Sequence, residues 1–234
     1  MESIEHKNTE KLVDFLKSVC IFSTLERVKL NYIVKNCKEI TYKKGDMICK
    51  KDDYAKNVYI IKSGAVTEFA MDDNEFSVMI KYSMKADYFG DLGVLVDNSY
   101  VTTVMASSQA VLIVIPGEIF SKLVWENPCV MKEMLRSYRK RLQNSAQKIM
   151  SCTMFNSEGR LAYILMMIYK ESNKGRFVNE TQENLSVRCG VSRQTVSTIL
   201  NNWKRSEVVN VYRGKIEITN MEALTDILLN GAKS

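Results

Sequence analysis

Apolar positions recur at helical spacing at the start of the chain. Leu12, Phe15, Leu16 and Val19 fall on one face, behind a possible cap at Thr9, so residues 9–18 read as a short helix. Residues 26–37 read as a second helix, with Val28, Ile33 and Val34 as buried positions. From about Ile40 the pattern changes to short β-prone runs separated by turn signals. Ile40-Thr41-Tyr42 precedes Lys44-Gly45-Asp46, residues 57–61 precede Ser63-Gly64, and residues 65–71 precede Asp72-Asp73-Asn74. Residues 75–82, 101–106 and 110–115 follow, and Pro116-Gly117 closes the series. Turns this closely spaced predict an antiparallel sandwich or barrel over roughly 40–115, not alternating β-α units.

The helical period then returns. Residues 127–152 contain no glycine and only the opening Pro128. Leu135, Leu142 and Ile149 recur every seven residues, and so do Met131, Tyr138, Ser145 and Cys152. Together they make the a and d positions of a heptad seam flanked by Arg136, Arg139, Lys140, Arg141 and Lys148. Such a stripe serves either a dimer, with Met131, Leu135, Tyr138, Leu142, Ser145 and Ile149 at the interface, or a helix lying on its own β domain. Residues 157–171 form a more apolar helix around Leu161, Ile164, Leu165 and Ile168, and Phe177-Val178 a short strand.

Residues 182–202, QENLSVRCGVSRQTVSTILNN, carry the most specific pattern. A helix-turn-helix needs apolar residues where two helices cross, a small residue where they touch and glycine in the turn. Leu185 and Cys189 supply the first, Ser186 the second and Gly190 the third, with Val191 plugging the core behind the turn. Ser192 is placed to cap the second helix, whose inner stripe is Val196, Ile199, Leu200 and Trp203. That stripe turns Arg193, Gln194, Ser197, Thr198 and Asn201 outward. Arginine grips guanine O6 and N7, glutamine pairs with adenine, and the N-terminal half of a recognition helix is where base edges are met. Residues 208–212 and 215–218 flank Arg213-Gly214 as a hairpin. It is either a wing that brings Arg213 and Lys215 to phosphates or a packing hairpin.

Charge adds a direction. Residues 1–126 hold 16 Lys and Arg against 18 Asp and Glu, whereas residues 127–234 hold 17 against 9. A basic second half points to a polyanion. The six cysteines include no C-x2-C or C-x4-C pair, and the one histidine is His6. No metal site, cofactor or catalytic set is expected, and the thiols read as reduced and mostly buried. The longest apolar run, residues 161–169, is far short of the roughly 20 residues that span a bilayer, and MESIEHKNTE has no apolar signal region. A cytoplasmic protein without membrane contact is the expectation.

Nearly end to end, the chain resembles the Crp/Fnr family of bacterial transcription regulators. The resemblance is carried by Tyr42-Lys43-Lys44-Gly45-Asp46 with residues 58–64, by Tyr88-Phe89-Gly90-Asp91-Leu92-Gly93, which resembles the FGEL signature, and by Asn127-Pro128 with residues 140–143. Gly159-Arg160 and residues 192–197 complete it. It implies an α+β architecture: a cyclic-nucleotide-binding-type β-roll over 1–126, a dimerisation helix over 127–152 and a winged helix-turn-helix over 153–234. It further implies a homodimer on palindromic double-stranded DNA, with RNA polymerase as a partner and a small-molecule effector in a pocket formed by Gly90, Asp91, Leu92, Ser99, Tyr100, Val101, Tyr138 and Ser145. Members that bind cyclic AMP hold its phosphate with an Arg-Ser pair about ten residues after the signature. Residues 96–103 here contain no Arg or Lys, Asp91 stands for the usual Glu, and Ala146 replaces a second hydroxyl beside Ser145. The expected effector is therefore a different, less anionic molecule, or regulation proceeds without one, through abundance or a thiol. The haem branch's histidine and the iron–sulfur branch's N-terminal cysteine cluster are absent.

Overall fold

In the computed structural model, residues 2–71, 77–171 and 177–232 are described. The turn at Asp72-Asp73-Asn74, the start of the strand expected over 75–82, and the side chain of His6 lie outside the described residues. The chain forms two units, residues 1–140 and 141–234.

The first unit opens with helices α1 (Glu2–Ser18) and α2 (Arg27–Asn36), joined by a short 3-10 turn at Cys20–Phe22. Thr9 lies inside α1 and does not cap it. Val13, Leu16, Val19, Ile21, Phe22, Leu30 and Ile33 are buried together. Val28 is not: it is 77% exposed, because the α2 face that buries Leu30 and Ile33 turns the first-turn position 28 to the opposite side.

Among the described residues, eight strands follow: β1 (Lys38–Tyr42), β2 (Met47–Cys49), β3 (Asn57–Ser63), β4 (Ala65–Met71), β5 (Ser77–Met84), β6 (Tyr88–Phe89), β7 (Thr103–Ala106) and β8 (Ala110–Pro116). They form two antiparallel sheets, ordered β1-β8-β3-β6 and β2-β7-β4-β5. β3 explains why its sequence is apolar without alternation. Val58 and Ile60 face the helices, while Tyr59 and Ile61 face the interior of the roll beside Val66, Phe89, Tyr100, Val104 and Leu112. A strand buried on both faces has no polar phase.

Helix α3 (Gly117–Glu126) follows β8 directly and buries Phe120, Leu123 and Val124. Pro116-Gly117 closes the strand series as expected, and the proline leads directly into α3, a role its fixed φ suits. Helix α4 (Pro128–Met154) starts at its proline, the position where a missing N–H costs nothing. Its Val130 and Met134 are buried in the first unit's core.

In the second unit, α5 (Ser157–Glu171), β9 (Phe177–Val178), α6 (Gln182–Cys189), α7 (Arg193–Arg205), β10 (Val209–Tyr212), β11 (Lys215–Ile218) and α8 (Met221–Asn230) enclose one core. The strands pair in the order β10-β11-β9. The final helix, capped by the Asn220 side chain accepting from the Ala223 N–H at 3.0 Å, went unread in the sequence.

Candidate nucleic-acid interface and effector site

The second helix of the helix-turn-helix, α7, is set by its turn. Gly190 has φ +64°, its N–H donates to Val187 O, and the next N–H, of Val191, reaches back to Ser186 O at 3.1 Å. This paired closure of a helix end requires the left-handed backbone that glycine adopts without strain. Two residues on, Ser192 Oγ accepts the Thr195 N–H at 3.0 Å and starts α7. A second cap, Thr181 Oγ1 accepting from Asn184 N at 3.1 Å, starts α6. Its Thr-x-x-Asn spacing was visible but unread in the sequence.

Val196, Ile199, Leu200 and Trp203 are all buried, and Ser186 is 3% exposed at the helix contact. Arg193, Gln194, Thr198 and Asn201 are exposed and Ser197 is half-buried, so the expected readers share the outer face of α7. Two of them are engaged within the protein. Arg193 Nε lies 3.6 Å from Glu183 Oε2 of α6, and Thr198 Oγ1 donates to Gln194 O at 3.0 Å. In the hairpin, Arg213 is exposed at the tip, while Lys215 Nζ sits 4.7 Å from the ring centre of Phe177 and 5.3 Å from that of Tyr212. The aromatic pair fixes the lysine stem and leaves the ammonium at the surface.

In the first unit, the segment after Phe89 carries Gly90, Asp91 and Leu92 of the expected effector pocket. Gly90 has φ +84°, and a Cβ there would meet Asn57 O at 2.8 Å and a Tyr100 ring carbon at 3.2 Å. Asp91 is buried, and its Oδ2 accepts the Tyr138 hydroxyl of α4 at 2.8 Å. Tyr100 is buried too: its hydroxyl donates to Asn57 O at 3.1 Å, and its ring tilts against Tyr59, which stacks on Phe89. Burial raises the Tyr100 and Tyr59 phenols above the ordinary range and the Cys49 thiol to about 12. Leu92 and Val101 are exposed on the surface and Ser99 is half-buried. Ser145 is exposed and belongs to the second unit.

Sequence reasoning missed Tyr59, Asn57 and Glu68. The Glu68 carboxylate is paired with Lys81 at 3.4 Å and accepts from Thr102 at 3.3 Å. Only the cross-strand register, Glu68 opposite Lys81, reveals that grouping. No Lys or Arg occurs between Lys85 and Lys122.

The heptad stripe divides. Met131 and Tyr138 pack on their own unit's core, while Leu135, Leu142 and Ile149 are 62%, 72% and 69% exposed. Among the described residues, no three His, Cys, Asp or Glu converge on a metal-sized site, and no helix is long and apolar enough to cross a membrane.

A β-roll followed in the chain by a long helix and a winged helix-turn-helix defines a class of DNA-binding regulator. Two family models match in that order: a cyclic nucleotide-binding domain over residues 39–127 and a Crp-like helix-turn-helix domain over 159–227. The chain belongs to the Crp/Fnr family of transcription regulators. It is 22% identical to the cAMP-activated global transcriptional regulator CRP of Pasteurella multocida, over 73% of this chain and 85% of that one. It is 21% identical to the fumarate and nitrate reduction regulatory protein of Vibrio cholerae, over 91% and 87%. Its fold is shared with FixK2 from Bradyrhizobium japonicum, at TM-score 0.64 and 15% identity over 82% of this chain and 96% of that one. The family is one of DNA-binding regulators rather than enzymes.

Proposed function

We propose that the protein is a homodimeric, sequence-specific regulator. It pairs along the α4 stripe of Leu135, Leu142 and Ile149 and reads palindromic double-stranded DNA. The observation that carries this reading is the clean division of α7, with every apolar position internal and Arg193, Gln194, Thr198 and Asn201 at the surface. Arg193 and Gln194 lie in its first turn, where a recognition helix enters the major groove. Ser197, Thr198 and Asn201 continue that face, and Arg213 and Lys215 meet phosphates on either side. Two-fold pairing sets the half-sites about one helical turn, ~34 Å, apart. The DNA-bound dimer acts on transcription through RNA polymerase.

The effector we propose for the β-roll is a small molecule other than cyclic AMP. A cyclic phosphate buried against Asp91, with no cation along residues 86–121, would be desolvated without a partner. Uncharged or cationic ligands carry no such cost.

The test uses a duplex selected from a random-sequence pool by the full chain. Arg193→Ala should weaken its binding by about 1–3 kcal/mol and relax base preference at one position per half-site. Unchanged affinity and preference would show that α7 does not dock as proposed. Titration calorimetry with cyclic AMP should give no binding heat, and saturable binding would overturn the effector reading.

A further inference from the structure

An acidic side chain stands beside Arg193, on a surface that would otherwise suit a polyanion. Glu183 belongs to the first turn of α6, and the first helix of a helix-turn-helix crosses the sugar–phosphate backbone when the motif docks. A helix N-terminus attracts phosphate, whereas a carboxylate placed there repels it. The local backbone fixes Glu183. Its C=O accepts from Ser186 Oγ at 2.7 Å, and Thr181 Oγ1 closes the turn by accepting the Asn184 N–H at 3.1 Å. The Glu183 carboxylate lies 3.6 Å from Arg193 Nε. Arg188, the guanidinium of α6 itself, is taken up elsewhere: it donates to one Glu180 oxygen at 3.1 Å, and Asn184 donates to the other. Glu183 is thus matched to the arginine of the next helix rather than to the cation of its own.

Arg193 has a reason to need that partner. It opens α7, whose first turn contains no acidic residue, so its charge adds to the positive end of the helix dipole. Glu183 offsets this from across the turn. The Arg193 side chain is 69% exposed and that of Glu183 only 29%, so the arginine is the member that can swing outward while the carboxylate stays between the helices.

We propose that Glu183 is a specificity-determining residue: it keeps Arg193 from binding phosphate and so reserves it for a base edge. This inference rests on the DNA-binding reading above. When Arg193 leaves the pair for guanine, it meets O6 and N7, both neutral acceptors, and no second anion approaches Glu183. A phosphate that captures the same arginine brings a full negative charge beside the carboxylate. Binding to arbitrary sequence consists of phosphate contacts, so the penalty falls there more than on the operator. Discrimination rises because the wrong complex is made worse, not because the right one gains a contact.

The test compares Glu183→Gln with the parent chain by fluorescence anisotropy on two duplexes, the selected one and one of scrambled sequence. On the scrambled duplex the variant should bind about five- to tenfold tighter, and its slope of log affinity against log salt should steepen by about one, for one added phosphate contact. On the selected duplex its affinity should change by less than about twofold. With Arg193→Ala also present, Glu183→Gln should shift neither duplex by more than about twofold, because the carboxylate acts through the arginine. Equal gains on both duplexes, or a gain that survives Arg193→Ala, would make Glu183 a general surface charge and overturn the proposal. Weaker binding to both with a lower melting temperature would assign it to holding the helices together, and unchanged binding to both would leave it no role; either result overturns the proposal as well. The DNA-binding reading is judged separately, by Arg193→Ala alone on the selected duplex. If that single change weakens binding while Glu183→Gln behaves in one of the contrary ways, only the role of Glu183 falls.

Discussion

Gly190 joins two requirements in one residue. It closes α6 in the left-handed region, and it leaves room beside the Cys152 sulfur. The Cβ of an alanine would meet only side-chain atoms at ordinary contact distances, so the cost of Gly190→Ala is conformational. It should destabilise the protein by about 1–2 kcal/mol in denaturant unfolding, and an unchanged midpoint would mean that the turn relaxes freely. In the other unit, the Tyr138 hydroxyl bonds a buried carboxylate, Asp91. A hydrogen bond to a charged group contributes about 1.5–3 kcal/mol, so Tyr138→Phe should lower stability by that amount. Tyr138→Phe combined with Asp91→Asn should cost less than the sum of the two single changes, as urea unfolding of all three variants would show. Arg193 belongs to the same scale. Its contact with Glu183 spans 3.6 Å between two partly exposed side chains, and such a pair is weak enough for a base edge to replace.

Among the elements, α4 carries the most information per residue. Its sequence offered two uses for one stripe, a dimer seam or a packing face. Met131, Tyr138 and Cys152 are occupied within their own units, while Leu135, Leu142 and Ile149 expose large apolar surface. Aliphatic side chains this exposed, at heptad spacing, match the seam of a coiled coil. Leu142→Asp places a charge at the centre of that seam and should give a monomer in sedimentation velocity with an unchanged far-ultraviolet circular dichroism spectrum. A dimer that persists would move the interface elsewhere. Helix α7 shows the complementary case, in which cap, stripe and outer face all lie within residues 192–203 and the helix forms as read.

On the scale of the whole molecule, burial of ionisable groups sets a pH limit. The Cys49 and Cys189 thiols rise from an ordinary 9.0 to about 12 in the folded chain, and the Tyr42, Tyr59 and Tyr100 phenols also rise, chiefly through burial. The folded state therefore holds protons that the unfolded chain has released. The stability these groups contribute is complete below about pH 9 and is lost as pH rises toward 12. The melting temperature should be level to about pH 8.5 and then fall, less steeply in Cys49→Ala combined with Cys189→Ala. An identical fall in that variant would assign the loss to other groups. The basic excess of residues 127–234 is likewise a whole-chain property, and it does not single out α7: Arg136, Arg139, Lys140, Arg141 and Lys148 all lie on α4.

What the sequence by itself determined was local and periodic. The helix-turn-helix, the β region, the long helix and the Crp/Fnr resemblance rest on caps, turn glycines and spacings that act within a few residues. What tertiary structure alone decided was which face each element buries and which distant groups meet. Val28 lies outside although its residue type favours burial, and β3 is buried on both faces. Asp91 meets Tyr138 across 47 positions, and Cys152 meets the turn at Gly190. Such pairings depend on how elements pack, and packing is fixed by the combined shape of many side chains rather than by any one stretch of sequence.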